Sequence, residues 1–237
     1  MTGTIMLEAT GLTRHFGGFC ALNNVNLSVR KGEIRGLIGS NGAGKSTCMD
    51  VLTGRGRNLQ GKIVLDGHDI SKLSERERRR AGMARSFQKT NIFPELKIRE
   101  QVMLAARMAE TDNTDEILSE LSLDTIADQP GSEVSYGDQR RVDLALALVG
   151  KPKVLLLDEP AAGLTIEESL TMARHLKSLS DRHSLTVLIV EHDMEVIFSV
   201  CDNLTVLHLG EVLTEGQPEA VRSDPEVVRA YLGSTFA

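Results

Sequence analysis

Short apolar runs separated by glycine and asparagine open the chain and predict β-strands. They cover Ile5–Ala9, Val25–Val29 and Ile34–Ile38, and such alternating or continuous hydrophobicity is typical of half-buried or buried strands. A helix is then predicted from Lys45 to Leu52. It should stop at Gly54, because glycine commonly ends a helix in the left-handed conformation.

The middle of the chain favours helices. Ser74 and Glu77 have the spacing of a capping box at the start of a charged helix. Apolar positions recur at helical spacing through most of residues 88–150, and Gly150 with Pro152 marks the end of the last predicted helix.

The pattern changes again at Val154. The runs V-L-L-L and L-T-V-L-I-V are continuously apolar, as expected of parallel strands buried on both faces. A helical segment with a Thr165–Glu168 capping box lies between them, which predicts a βαβ unit. The tail segments P-E-A-V-R-S and D-P-E-V-V-R-A-Y-L are predicted to be short helices. We therefore expect one α/β domain with a helical insertion.

Composition narrows the functional classes. The net charge of -6 argues against a basic surface that binds nucleic acid. The basic run Arg76–Arg80, interrupted by Glu77, is interpreted as a solvated helix face. The cysteines Cys20, Cys48 and Cys201 form no C-x-x-C pair, which favours a reduced, intracellular setting and packing roles. We expect no signal peptide, and no apolar run approaches the roughly 20 residues that span a bilayer. A membrane role is therefore expected to come through a partner.

One segment carries a specific chemical pattern. Residues 39–46 read G-S-N-G-A-G-K-S and fit the phosphate-binding loop G-x-x-x-x-G-K-[ST], placed after a predicted strand and before a predicted helix. Its glycines let backbone N–H groups approach phosphate oxygens, and the helix N-terminus adds its positive dipole end. Lys45 is predicted to reach the β- and γ-phosphates, and Ser46 to bind Mg²⁺.

A second element ends in two acids. The strand beginning at Val154 finishes with Asp158 and Glu159. Alone, such a pair is equally consistent with a helix cap or a solvated turn. Combined with the phosphate-binding loop, it predicts that Asp158 holds Mg²⁺ and that Glu159 orients the attacking water. Because the second acid is glutamate, we expect hydrolysis and not only binding.

These motifs stand in the order found in ABC-type ATPases, which the chain resembles over essentially its whole length. They are Lys45, Gln88, Val134–Asp138, Asp158-Glu159 and His192. The resemblance implies an α/β P-loop (RecA-like) core with an antiparallel β subdomain and a helical subdomain, in a single domain over residues 1–237. Residues 1–87 and 151–237 would form the catalytic core, and about 88–150 the helical subdomain.

The resemblance also implies roles for individual residues. Ser135 and Gly137 match the signature loop, whose helix N-terminus contacts the γ-phosphate of ATP held by an opposite subunit. Gln88 matches the Q-loop, near Mg²⁺, the water and the membrane partner. His192 matches the switch histidine at the γ-phosphate, and Phe16 matches the aromatic that stacks on adenine.

Together these predictions define three sets of positions. The nucleotide-binding set is Phe16, Ser40, Asn41, Gly42, Ala43, Gly44, Lys45, Ser46, Thr47, Ser135 and Gly137. The metal-binding set is Ser46, Gln88 and Asp158. The catalytic set is Lys45, Gln88, Glu159 and His192.

The finer resemblance is to ATP-binding subunits of branched-chain amino-acid importers. It rests on S-Y-G-D-Q-R-R-V-D-L-A-L-A-L, G-M-A-R-S-F-Q, E-P-A-A-G-L and R-A-Y-L-G. Asp138 stands where the signature usually has glutamine or glutamate, and Thr165 stands where the D-loop often has aspartate or asparagine. The resemblance implies ATP and Mg²⁺ as cofactors and uptake of branched-chain amino acids or related small polar solutes.

The same resemblance implies partners and a location. Transmembrane permease subunits, a second ABC ATPase subunit (a related chain or a second copy) and, indirectly, a substrate-binding protein are expected, and no nucleic acid. The chain would lie peripherally on the cytoplasmic face of the inner membrane.

Other functions remain open at this point. ATPases of lipopolysaccharide or lipid export share E-P-x-A-G and the Y-L-G ending. Soluble ABC ATPases carry long coiled-coil or zinc insertions between phosphate loop and signature, whereas this interval has no heptad run and no cysteine cluster. A nucleotide or small-metabolite kinase would leave the signature and His192 unexplained.

Overall fold

The computed structural model describes residues 3–56, 59–86 and 91–230, which form two β-sheets with helices packed around them. The strands are β1 (Ile5–Phe16), β2 (Phe19–Arg30), β3 (Ile34–Ile38), β4 (Leu59–Leu65), β5 (His68–Asp69), β6 (Met83–Arg85), β7 (Val154–Asp158), β8 (Thr186–Val190), β9 (Asn203–His208) and β10 (Glu211–Gly216). The α-helices are α1 (Lys45–Thr53), α2 (Glu75–Ala81), α3 (Ile98–Met108), α4 (Thr114–Glu120), α5 (Tyr136–Leu148), α6 (Ile166–His183), α7 (Met194–Val200), α8 (Pro218–Ser223) and α9 (Pro225–Ala230).

The two sheets differ in strand direction. The smaller sheet has the order β2-β1-β4-β5 and is antiparallel. The larger has the order β10-β9-β3-β8-β7-β6; its pairings are parallel from β9 to β6, and only β10 runs antiparallel to its neighbour. This arrangement confirms the predicted α/β fold with an antiparallel β subdomain.

The parallel strands that carry the site are fully buried. Every residue of β3, β7 and β8 is buried. The apolar runs of β7 and β8 predict this burial, whereas β3 also buries the polar Arg35. Helix α6 connects β7 to β8 and begins with the predicted capping box, in which Glu168 Oε2 accepts from the Thr165 N–H at 2.8 Å. Since parallel strands end at one edge of a sheet, the loops after β3, β7 and β8 meet there.

Two differences from the predicted strands have a local cause. Strands β1 and β2 continue well beyond the predicted Ile5–Ala9 and Val25–Val29, because bulges near Gly11 break the alternation while the ladder continues. The β9–β10 hairpin and β6 are not predicted. Strand β6 has three residues, too few for a recognisable period.

The helical insertion packs against the large sheet. Ile98, Val102 and Ala106 lie on one face of α3 and belong to the same hydrophobic cluster as Ile38 of β3 and Leu155 of β7. The predicted division into a catalytic core and a helical subdomain stays a prediction. Within the described ranges, no helix is both long and apolar enough to cross a membrane.

The cysteines of the chain are free thiols. Cys48 and Cys201 are buried, as predicted for packing residues, and Cys20 is half-buried. Burial raises the pKa of the Cys48 thiol to about 12, so this side chain behaves as a small apolar group.

Candidate functional site

The phosphate-binding loop joins β3 to α1 and is shaped by close backbone approaches. A Cβ atom at Gly39 would lie 2.2 Å from the Leu207 carbonyl oxygen, and one at Gly44 would lie 2.7 Å from the Ala21 carbonyl oxygen. Both glycines also have positive φ angles, 150° and 107°. Substitution at either position would therefore displace the loop from β9 or β2.

Lys45 is folded into this loop. Its Nζ donates to the carbonyl oxygens of Gly39 at 2.7 Å and Ser40 at 3.1 Å, and the residue is buried. Burial lowers the pKa of Lys45, while the charges of Glu159 and then Asp158 oppose that shift. The ammonium group is thus placed within the electrostatic reach of both carboxylates.

Asp158 ends β7 and is held by a cation from the next strand. Its Oδ2 accepts from Arg85 Nη2 at 2.7 Å, and Arg85 Nη1 donates to Asp50 Oδ1 at 2.7 Å. Arg85 lies on β6, directly beside β7. The ion pair fixes the direction of one carboxylate oxygen, so the predicted metal ligand is oriented before any ion binds.

Glu159 follows in a left-handed conformation, with φ at 51°. This conformation costs a non-glycine residue roughly 1–2 kcal/mol. Its N–H donates to the Val190 carbonyl oxygen at 2.8 Å, and its Oε1 lies 3.1 Å from His192 Nε2. The structure therefore brings two predicted catalytic side chains, from the ends of β7 and β8, into direct contact.

Glu191 explains how these two loops keep their positions. It is buried, and its carboxylate accepts from the Ala161 N–H at 2.6 Å and from the His192 N–H at 2.9 Å. Burial raises the pKa of Glu191, against the effect of these backbone hydrogen bonds. The carboxylate ties the segment after Glu159 to the segment that carries His192.

The sequence patterns do not single out Arg85 or Glu191. Glu191 could have been noticed as an acid directly before His192 at the end of an apolar strand. The role of Arg85 depends on the pairing of β6 with β7, which no local pattern reveals.

The signature segment lies at the start of α5. Ser135 caps this helix: its Oγ accepts from the Asp138 N–H at 3.1 Å and donates to Asp138 Oδ2 at 2.8 Å. Asp138 also pairs with Arg141. The negative charge at position 138 is thus compensated within the first turns of its own helix.

Gly137 is confined by the neighbouring helix. A Cβ atom at Gly137 would lie 2.6 Å from Glu168 Oε1, the same carboxylate that caps α6 through Thr165. The hydroxyl of Thr165, at the D-loop position, is used for this cap. Tyr136 Oη also donates to the Ala162 carbonyl oxygen at 3.3 Å, so α5 is anchored to the loop after Glu159.

Phe16 stands at the end of β1, next to the turn that leads into β2. It is about half exposed, and the Arg14 guanidinium lies 4.6 Å from its ring centroid. Arg14 pairs across the ladder with Leu22, whose side chain approaches Gly44. The predicted adenine-stacking aromatic therefore lies on the hairpin that borders the phosphate-binding loop.

Apart from Phe16 on the β1–β2 hairpin, the predicted catalytic, metal-binding and signature residues fall into two groups. Lys45, Asp158, Glu159 and His192 converge at the carboxyl edge of the large sheet, while Ser135 and Gly137 lie at the N-terminus of α5. Gln88 lies outside the described residues.

Comparison with known protein families gives two matches. A family model described as "ABC transporter" matches residues 22–162. A second, described as "Branched-chain amino acid ATP-binding cassette transporter", matches residues 211–237.

Curated relatives match over nearly the full chain. The high-affinity branched-chain amino acid transport ATP-binding protein BraF of Pseudomonas aeruginosa is 35% identical over 96% of this chain and 98% of its own. The lipopolysaccharide export system ATP-binding protein LptB of Haemophilus influenzae is 34% identical over 98% of each chain.

Solved structures share the fold. The ADP conformation of MJ1267, an ATP-binding cassette of an ABC transporter, has a TM-score of 0.88 at 29% identity and covers 97% of this chain and 99% of its own. A dimeric post-hydrolysis state of the cassette MJ0796, bound to ADP and phosphate, has a TM-score of 0.78 at 26% identity over 90% of this chain and 99% of its own.

Proposed function

Because the chain belongs to the ABC transporter ATP-binding family, we propose that it is the ATP-hydrolysing subunit that energises import of branched-chain amino acids. Membership follows from the family match over residues 22–162 and from 35% identity to BraF over nearly the whole chain. The match of residues 211–237 to the branched-chain amino-acid model carries the choice of substrate.

Lipopolysaccharide or lipid export is the second candidate. The LptB relative supports it, since its identity of 34% is close to the 35% of BraF. Overall identity therefore separates the two transport systems poorly. The match of residues 211–237 to an amino-acid transporter model is the observation that favours amino-acid import as the first candidate.

The contact between Glu159 and His192 is the observation that best supports ATP hydrolysis at this site. At 3.1 Å, His192 Nε2 orients the Glu159 carboxylate beside the loop that contains Lys45. When ATP binds, Glu159 would hold and polarise the attacking water, and His192 and Lys45 would stabilise charge that develops on the γ-phosphate. Phe16 would stack on adenine, and the backbone of residues 40–47 would surround the phosphates.

The residues near Asp158 fit a magnesium ion. Ser46 offers a hydroxyl oxygen in the first turn of α1, and Asp158 offers a carboxylate oxygen, both hard ligands of the kind Mg²⁺ prefers. Gln88 would complete the proposed set. The bound ion would neutralise charge on the β- and γ-phosphates.

A second cassette would complete the site. The capped N-terminus of α5, with Ser135 and Gly137, would face the γ-phosphate of ATP on an opposing subunit, as its dipole and N–H groups favour an anion. The dimeric MJ0796 structure supports such an assembly. The opposing subunit would be a second copy or a related chain, and residues 88–150 would act as the helical subdomain of each.

The remaining partners follow from a transport role. Transmembrane permease subunits would dock on the cassettes at the cytoplasmic face of the inner membrane, and a substrate-binding protein would deliver the solute. The net charge of -6 gives no support to nucleic acid as a partner.

Affinity capture from native membranes tests this proposal. A tagged chain should retain two multi-spanning subunits and a second ABC ATPase, and the associated binding protein should bind leucine, isoleucine or valine in calorimetry. Recovery of a homodimer with lipid-export components would favour the second candidate. Recovery of soluble or nucleic-acid partners alone would refute transport and leave the ATPase chemistry standing.

A further inference from the structure

A cluster of ligating side chains lies at the opposite end of β8 from the catalytic His192. Glu116 and Glu120 are one helical turn apart on α4, and His183 is the last residue of α6. One ligand atom from each residue lies within 4.8 Å of the others. Two carboxylates on one helix face repel each other, so a cation between them would relieve that repulsion.

A buried amide points to a ligand at the same place. Asn113 lines the cavity of about 180 Å³ that also contains Glu116, Glu120 and His183. Asn113 is only 4% exposed, and both polar atoms of its amide lack a hydrogen-bond partner among the described residues. Since buried polar groups are nearly always satisfied, this amide has hydrogen-bonding capacity left for a polar group or water bound in the cavity.

Existing contacts show how the cluster is held without an ion. Lys151 Nζ lies 2.7 Å from Glu116 Oε2, and His183 Nε2 contacts Glu120. The Lys151 side chain is 63% exposed. It can therefore swing into solvent and leave Glu116 to another cation.

We propose that Glu116, Glu120 and His183 form a site for Zn²⁺ that fastens α4 to the end of α6. Imidazole nitrogen with two carboxylate oxygens is a donor set that zinc accepts, whereas Mg²⁺ and Ca²⁺ prefer oxygen ligands alone. Three protein ligands leave a fourth position for water. The site joins the helical insertion to the segment that precedes β8, and it is separate from the catalytic residues.

Metal titration of the purified full-length chain tests the site. In excess Mg²⁺, calorimetry should show one Zn²⁺ bound per chain. Co²⁺ used in place of Zn²⁺ should give visible absorption bands typical of low-symmetry coordination, without a thiolate charge-transfer band. At one hundred times its Kd, Zn²⁺ should raise the melting temperature by about 5–10 °C, because it binds only the folded state.

Variants separate this site from adventitious binding. His183→Gln and Glu120→Gln should each weaken Zn²⁺ binding by more than about a hundredfold, the upper end of the loss that removal of an outer-shell partner causes. Lys151→Gln should strengthen it by removing the competing ammonium group, a result that misfolding cannot mimic. His68→Gln, an exposed histidine on β5, is the matched control and should leave affinity unchanged.

Two results would overturn the proposal. One is the absence of stoichiometric Zn²⁺ or Co²⁺ binding to the wild-type chain. The other is unchanged affinity in both Glu120→Gln and Lys151→Gln, with wild-type melting temperatures in the absence of metal.

Discussion

Replacing the buried Glu191 by alanine would remove the acceptor that ties the Glu159 and His192 loops together. The Ala161 N–H is buried and would lose a charged partner at 2.6 Å, which costs about 1.5–3 kcal/mol. For a chain of this size the melting temperature should fall by about 3–12 °C. Small displacements of reacting groups reduce rates steeply, so kcat for ATP hydrolysis should fall at least about tenfold.

The assay combines steady-state ATPase kinetics with thermal unfolding. KM for ATP should change less than kcat, because Glu191 makes no hydrogen bond to the phosphate-binding loop within the described residues. Glu191→Gln should recover part of both losses, since its amide oxygen can still accept from Ala161. Glu195→Gln, an exposed acid on α7, is the control. Wild-type kcat and melting temperature in Glu191→Ala would refute the positioning role.

Three further outcomes are expected. Glu159→Gln should retain ATP binding in filter or fluorescence assays but abolish turnover and accumulate a dimer in size-exclusion chromatography. The control Glu219→Gln, on α8, should behave as wild type. Unchanged turnover in Glu159→Gln would reject Glu159 as the water-orienting group. Phe16→Ala should raise KM for ATP about two- to tenfold through lost stacking, and Phe16→Tyr should not; equal KM in both variants would contradict the adenine contact. Burial raises the pKa of Asp143, so the free energy of unfolding should fall as pH rises from about 4 through the raised folded-state pKa. Asp143→Asn should reduce this pH dependence, measured by urea unfolding at several pH values. An unaltered pH dependence would exclude Asp143 as its source.

Short sequence patterns predict those features whose residues are close together along the chain. The phosphate-binding loop is contiguous, so its glycine spacing predicts both its fold and the placement of Lys45. The capping box at Thr165 is likewise contained within four residues and is confirmed. Mostly apolar runs predict β3, β7 and β8 for the same reason, because strands buried on both faces carry few polar residues.

Features that depend on distant pairing are not predicted. The Arg85–Asp158 ion pair needs β6 to lie beside β7, although the two strands are separated by the whole helical insertion. Strand β1 extends past its predicted end because bulges interrupt the period while β2 and β4 still supply hydrogen bonds. Gly137 shows a packing requirement that the signature motif does not express. A Cβ atom at this position would collide with Glu168, so contact with α6 also requires glycine here.

The burial of the Arg85–Asp158 pair has a consequence for ionic strength. The Arg85 side chain is 7% exposed and the Asp158 side chain 12%, so mobile ions screen this attraction far less than they screen contacts between exposed groups. Added salt should therefore loosen surface ion pairs such as Lys153–Asp66 well before it frees the Asp158 carboxylate. The orientation of the Asp158 carboxylate at the nucleotide site should therefore change little with ionic strength.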